Sequence, residues 1–590
     1  MQESVGRREF LTRMGSTLAS VDLASRFGLP AAGGQAEGRG VDPGLVGHWP
    51  LRGDCRDRSG CGNHGRGRGA DPSLGSFDGR STFVEIPPSP TLDFGSGDFS
   101  LCAWIRTAPD VDDVIGDVLA KYDPARRKGF TLAVKSSSGG YNSHGDDRQV
   151  HFGIDDAKIG EWQDCGRPSP TSNYVSNSLT VFDGNLYAGI TDAVKEEDWC
   201  HVFRYRGGTA WEDCGRVGNL KTRGVGPLIV HKGHLYAATW NYDWTRVGLS
   251  RRGRKPYESD FCRVYRYAGG KLWIDCGQPG RNNRLFGIAS FRGALYVVGD
   301  DRGCCVCEGG TQWKRCGEFP NYAHPLGIHD GRLFAGVLNP AGVHAYDGKA
   351  WKPLGNPYGS EERCNQIHAL EVYRGHLYAT TWPEGRVAML DDRESWIDCG
   401  RLGDSLEING LTVYNGKLYG GTIPRAEVFR YDGERRWTSI KRFLEPEGYQ
   451  FKNSNEWARV TSLTVHAGQL FAGMGSCTSS HLDAPCDFRG KVYAMEAGKC
   501  VSFDRDLGPG WRHLVAVKRR GSLELWASGR KESVSSAFDP AGFDLSNSQP
   551  LCIGFGELDY FSGKIREVRA YRRGLDPAEI ERLAREQRPS

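Results

Sequence analysis

The sequence predicts an all-β fold dominated by a β-propeller, and three observations predict it. First, one phrase recurs seven times: Trp162, Trp211, Trp273, Trp313, Trp351, Trp396 and Trp437 each precede an aromatic strand. Those strands carry Leu186-Tyr187, Leu235-Tyr236, Leu295-Tyr296, Leu333-Phe334, Leu377-Tyr378, Leu418-Tyr419 and Leu470-Phe471. The tryptophans recur every roughly 38–60 residues, a spacing that suits propeller blades. Second, 80 glycines and 11% aromatic residues suit short strands joined by tight turns. Third, the flanking regions alternate apolar and polar residues between Gly and Asp turns, as antiparallel strands do.

The 590 residues exceed one ordinary core, and they divide into four stretches. Residues 1–40 form a leader and linker, 41–157 the first part of a β-sandwich, 158–498 the propeller, and 499–590 the second part of the sandwich. A net charge of +4 is small for this length and gives no reason to expect nucleic acid or an anionic membrane surface as a partner. No run of about 18 apolar residues occurs, so no transmembrane segment is expected.

In chain order, Gly6-Arg7-Arg8-Glu9-Phe10-Leu11 comes first. It resembles a twin-arginine export signal, which implies a secreted or periplasmic protein exported already folded. Asp22 and Arg26 interrupt the apolar stretch that follows.

The segments Gly44-Leu45-Val46-Gly47-His48-Trp49, Phe83-Val84-Glu85-Ile86-Pro87 and Asp98-Phe99-Ser100-Leu101-Cys102-Ala103-Trp104-Ile105 come next. Beyond the repeats lie Gly510-Trp511-Arg512-His513-Leu514-Val515, Leu523-Glu524-Leu525-Trp526 and Phe561-Ser562-Gly563-Lys564-Ile565-Arg566-Glu567-Val568. Their order resembles the laminin-G-like, concanavalin-A-like jelly roll. The resemblance implies that the propeller is inserted into that jelly roll. Asp576 and Pro577 mark the N-cap and first turn of a short closing helix.

A blade parses as Leu411-Thr412-Val413-Tyr414, an Asn415-Gly416 turn, Leu418-Tyr419-Gly420-Gly421-Thr422, then Val428-Phe429-Arg430-Tyr431 and a strand holding Trp437. The blades resemble generic kelch-like repeats. Trp162 has no inner strand before it and the last repeat has no Trp after it, so the Trp162 strand is expected to complete the last blade and close the ring.

Of 18 cysteines, Cys55 with Cys61 and Cys477 with Cys486 are close enough in sequence to form local disulfides. Cys165, Cys214, Cys276, Cys316 and Cys399 repeat in Trp-x-x-Cys-Gly and read as packing residues. Cys304, Cys305 and Cys307 lack the paired spacing of a zinc site and read as a buried or disulfide-linked strand. Asp54, Asp57 and Asn63 have a spacing compatible with Ca²⁺ in the jelly roll, and turn formation explains them equally. No cofactor is otherwise required.

Loops entering the innermost strand and leaving the second strand share one face of a propeller. Aligned on their inner-strand leucines, the repeats place His324 and His368 at equivalent positions there. Tyr322, Arg284, Glu407 and Arg459 lie one layer away, and Trp240, Trp382 and Asp300 come from second-strand exits. Aromatic faces cover sugar rings, planar polar groups bond hydroxyls, and arginines hold carboxylates. The reading is therefore a carbohydrate-recognition protein, binding polysaccharide at this mouth or through the jelly roll and acting as a monomer. One alternative is a polysaccharide lyase or glycosidase. In a lyase, His324, His368 and Tyr322 would supply base and acid, as the resemblance to seven-bladed polysaccharide lyases implies. Another alternative is a protein-interaction scaffold.

Overall fold

The computed structural model describes residues 42–136, 143–193, 196–241, 261–444, 458–476, 488–586 and 588–589. Two seven-stranded antiparallel sheets form a sandwich. One holds Leu45–Trp49, Ser562–Tyr571, Phe99–Thr107 and Gly510–Arg519; the other holds Phe83–Ile86, Ile115–Asp123, Lys128–Lys135, Gln149–Ile159 and Ala497–Phe503. Their inner faces meet in an aromatic core, with Phe99 at 5.3 Å from Phe130 and 6.0 Å from Phe152. The closing helix Pro577–Glu586 buries Ile580 and Leu583. Asp576 Oδ1 accepts from Glu579 N while Glu579 Oε2 accepts from Asp576 N, each at 2.9 Å, a reciprocal cap on that helix.

The chain leaves the sandwich after Ile159 and returns at Ala497, which pairs with it across the sheet. Between these points the described residues form seven four-stranded antiparallel units, the first and last merged in one eight-stranded sheet and the third extended by Ser143–His144. The last of them borrows its outer strand: Gln163–Asp164, next to Trp162, pairs with Val492–Met495. Tyr174 then pairs with Gly475, joining the first unit to the last.

The recurring tryptophan latches neighbouring units together. Trp211 Nε1 donates to Cys165 O at 2.8 Å, Trp273 to Cys214 O at 3.0 Å, Trp313 to Cys276 O at 2.8 Å and Trp437 to Cys399 O at 2.9 Å. The preceding Asp shapes the turn that presents the carbonyl, as Asp398 Oδ1 does by accepting from Gly400 N at 2.9 Å. Gly400 has φ 96°, and a Cβ there would lie 2.2 Å from Arg435 O of the next unit, so glycine is required twice over. Cys165, Cys214 and Cys399 are buried and Cys276 and Cys316 half-buried; all are free thiols that pack. Cys304 and Cys305 are buried and Cys307 half-buried, and they too are unbonded.

All seven hairpin turns between innermost and second strands face the sandwich. Each turn has two successive residues at positive φ, from Asp183-Gly184 to Ala467-Gly468, the pairing expected of a tight two-residue hairpin. Each is tied to the sandwich by at least one hydrogen bond. Gly184 N donates to Asp504 O at 2.8 Å, Lys232 N to Asp146 Oδ1 at 3.0 Å, and Arg292 N to Val111 O at 3.4 Å. Gly331 N donates to Asp112 O at 3.1 Å, Arg374 N to Glu557 O at 3.2 Å, and Gly468 N to Ser502 Oγ at 2.9 Å. In the sixth unit the Asn415 amide reaches both crossing strands, donating to Ile154 O at 3.0 Å and Ala497 O at 2.7 Å. The sandwich thus covers one face of the ring, and the candidate site lies at the strand ends of the other.

Asn415→Gly keeps the turn conformation and removes both side-chain bonds. Leaving two carbonyls without their donor should cost about 2 kcal/mol. Urea unfolding should show a lower midpoint with an unchanged slope; an unchanged midpoint would contradict the bridging role of this amide.

Candidate functional site

The face away from the sandwich includes the starts of inner strands Leu285–Phe291, Ala323–His329, Cys364–Tyr373, Glu407–Tyr414 and Ala458–His466. These strands come from successive units, so residues at one register position become neighbours around the axis. His324 and His368 meet: their Nδ1 atoms are 3.3 Å apart and their rings lie at 70°. His368 Nε2 is 2.9 Å from Gln366 Oε1, and its Nδ1 is 3.3 Å from Glu407 Oε1. Glu407 in turn accepts from the Asn409 amide.

On the other side of His324, the Phe286 ring lies 3.8 Å from the imidazole and Tyr322 lies 6.2 Å away. The Arg284 guanidinium sits over Phe286 at 4.6 Å and over Tyr322 at 5.9 Å. Arg459 covers Tyr174 at 5.7 Å. Arg284 also pairs with Asp300, Nε to Oδ2 at 3.6 Å, and Arg459 Nη1 donates to the Tyr174 hydroxyl at 3.5 Å, so both guanidiniums are held in orientation. Arg284, Phe286, Tyr322, His324, His368 and Glu407 thus form a connected arc, with Arg459 near enough for its charge to act on His368.

Burial dominates the electrostatics. It holds the His324 imidazole well below its ordinary pKa, with His368 and Arg284 adding to the effect. Burial also lowers His368, with Glu407 opposing and Arg459 assisting. Both rings are therefore neutral at pH 7, and two neutral imidazoles in contact need one N–H facing one lone pair. The Nε2 atom of His324 and the Tyr322 hydroxyl take no hydrogen bond from the described residues.

Other expected site residues have structural duties. Trp240 is 4% exposed and its Nε1 donates to Leu285 O at 2.7 Å, so its indole is a strut and not a sugar platform. Asp300 Oδ1 accepts from Asn283 N at 2.8 Å and Arg284 N at 3.2 Å, fixing the loop that aims Arg284. Burial raises the Asp300 carboxyl, with Arg284 opposing. Trp382 pairs across the strands with Gln366 and stays half-buried at the rim. Tyr174, the ring beneath Arg459, lies one residue outside the aligned position held by Val175, so sequence register alone does not mark it. Tyr242 and Asp243, which follow Trp240 and Asn241 in the same second-strand exit, lie outside the described residues.

The carboxylates of the sandwich loop do not form a cation cage. Asp57 is saturated by four protein donors: His48 N at 2.9 Å, Ser59 N and Oγ each at 2.8 Å, and Asn63 N at 2.9 Å. The Asn63 amide is turned inward, donating to Val46 O and Thr91 Oγ1, and Asp54 pairs with Arg58 at 2.6 Å. The group organises a turn. Cys55 and Cys61 do not bond to each other. Burial, with Asp71 and Asp54 adding, pushes the Cys55 thiol up to about 11, and Cys61 Sγ lies 3.9 Å from Leu45 O. Cys477 and Cys486 lie outside the described residues.

No protein-family model matches the chain, and no curated protein matches it in sequence. Among solved structures, a streptogramin B lyase is 9% identical with a TM-score of 0.40, covering 57% of this chain and 98% of its own. YCF48 from Cyanidioschyzon merolae is 12% identical with a TM-score of 0.37, covering 57% of this chain and 98% of its own. The WD40 repeats of RRP9 are 12% identical with a TM-score of 0.37, covering 57% of this chain and 99% of their own.

The histidine pair predicts an acid sensitivity. Both folded-state pKa values lie below the ordinary 6.5, so an unfolded chain binds more protons at low pH. Their contribution is intact above pH 6.5 and declines as pH falls below it. Replacing both by Gln should flatten the fall in Tm between pH 7 and 5 relative to the parent chain; an unchanged slope would mean that the rings titrate normally.

The chain is an all-β protein, in which a series of four-stranded antiparallel units is carried by a two-sheet sandwich.

Proposed function

We propose that the protein recognises an acidic polysaccharide at the uncovered face of a seven-bladed propeller inserted into a laminin-G-like jelly roll. The observation that carries this reading is the arc in which Arg284 and Arg459, each resting on an aromatic ring, flank a neutral His324–His368 pair. A uronate carboxylate is planar and matches a guanidinium edge. The faces of Tyr322 and Trp382 suit the C–H surface of a sugar, and Gln366 and Glu407 suit its hydroxyls. The twin-arginine-type leader fits a protein that works outside the cytoplasm, as a monomer.

A second reading is elimination of the uronate. The partnerless Nε2 of neutral His324 could serve as base and the Tyr322 hydroxyl as acid, with an arginine neutralising the carboxylate.

Calorimetry with uronate-containing and neutral oligosaccharides tests recognition. Binding should be confined to the acidic chains, and Arg284→Ala or Arg459→Ala should weaken it about 10- to 100-fold. Equal affinity in the double variant would sink the proposal. Elimination should give the ultraviolet absorbance of an unsaturated uronate, lost in His324→Ala; binding without that absorbance leaves recognition alone.

A further inference from the structure

Opposite the uncovered face, the ring and sandwich share a buried group of three ionisable side chains. His329 ends the inner strand Ala323–His329, while Asp113 and Asp559 come from sandwich loops far apart in sequence. His329 Nδ1 lies 3.4 Å from Asp559 Oδ2 and 4.0 Å from Asp113 Oδ1, and one ligand atom from each residue falls within 4.8 Å of the others. His329 is 6% exposed, Asp113 4% and Asp559 0%.

Two of these atoms are unsatisfied. His329 Nδ1 and Asp559 Oδ2 have no hydrogen-bond partner, although both are buried and point at each other. Among the described residues, neither aspartate pairs with a lysine or arginine. Even with the imidazole protonated, the two carboxylates leave the group a formal charge of −1 in a site shielded from water, which is costly without a further counter-charge.

We infer that Asp113, His329 and Asp559 bind one divalent transition-metal ion, with Zn²⁺ the best fit, that clamps the ring to the sandwich. Zn²⁺ bonds to imidazole nitrogen and carboxylate oxygen at about 2.0–2.2 Å, so tetrahedral ligand atoms stand about 3.4 Å apart. The observed 3.4 and 4.0 Å separations need only a small contraction. One imidazole with two carboxylates suits a borderline cation better than the all-oxygen shells of Ca²⁺ or Mg²⁺.

The surroundings are those of a prepared site. Asp330 Oδ2 lies 3.7 Å from His329 Nε2, where a carboxylate would keep the proton on that nitrogen and leave Nδ1 for a metal. Asp117 Oδ2 accepts from Leu558 N at 2.7 Å and Asp559 N at 3.1 Å, and Asp559 Oδ1 accepts from Tyr560 N at 2.7 Å, so Oδ2 is the oxygen aimed inward.

The site is independent of the sugar reading, so each can fail alone. The test uses the full chain, stripped with a chelator and returned to Zn²⁺. One equivalent should bind, with a rise in Tm. His329→Gln and Asp559→Asn should abolish binding. Asp330→Asn leaves all three ligands and should keep the fold while weakening Zn²⁺ affinity about 10- to 100-fold. It therefore decides the matter if the ligand variants do not fold. No bound metal and no Tm response to Zn²⁺ would overturn the proposal, making the group a proton-bridged triad. Full stoichiometry in His329→Gln, or unchanged affinity in Asp330→Asn, would overturn it equally.

Discussion

A hairpin turn buried against another element must find partners for its backbone N–H and C=O groups, and the arrangement of this protein depends on that requirement. Seven such turns project from one side of the ring, and the sandwich meets every one of them with a carbonyl, carboxylate or hydroxyl. The acceptors come from loops and strands distributed from Val111 to Leu558. The sandwich has to be completed from both sides of the repeats before the ring can be covered. Buried polar pairs beneath the ring reinforce the match, including Lys135 with Glu371 at 3.4 Å and Tyr373 with Glu557 at 3.1 Å.

Covering one side determines what the other can do. Inner strands run toward the covered face and start at the open one, so their first residues gather around the axis away from the sandwich. That geometry turns a register coincidence between His324 and His368 into a contact. It also brings Arg284 and Arg459, from units that are not adjacent, to either side of the pair. The shielded environment that keeps the imidazoles neutral is the same one in which a guanidinium–carboxylate contact is strongest.

The repeat was legible in the sequence because its parts are local: a Trp, an Asp-Cys-Gly turn and an aromatic strand recur within one unit. Ring closure by the Trp162 strand was legible by counting strands. Packing was less so. Trp240 matches a rim aromatic in sequence, yet its indole turns inward to Leu285 O. Asp57 matches a calcium ligand in spacing, yet His48, Ser59 and Asn63 use all its capacity. Only Asn415-Gly416 and the two Asp-Gly pairs announce their turns; Arg292, Arg374 and Ala467 adopt the same left-handed backbone because the strands and sandwich impose it. The Asp113–His329–Asp559 group had no sequence signal, since its members meet only when ring and sandwich pack.

The protein divides its labour between the face sealed by the sandwich and the opposite one. Amide hydrogen exchange, followed with and without an acidic oligosaccharide, tests it most directly. The seven turns from Asp183-Gly184 to Ala467-Gly468 should exchange slowly in both conditions. Added sugar should slow exchange only around Tyr174, Arg284, Tyr322, His368, Glu407 and Arg459. Fast exchange at the turns without sugar, with protection appearing there on binding, would contradict it.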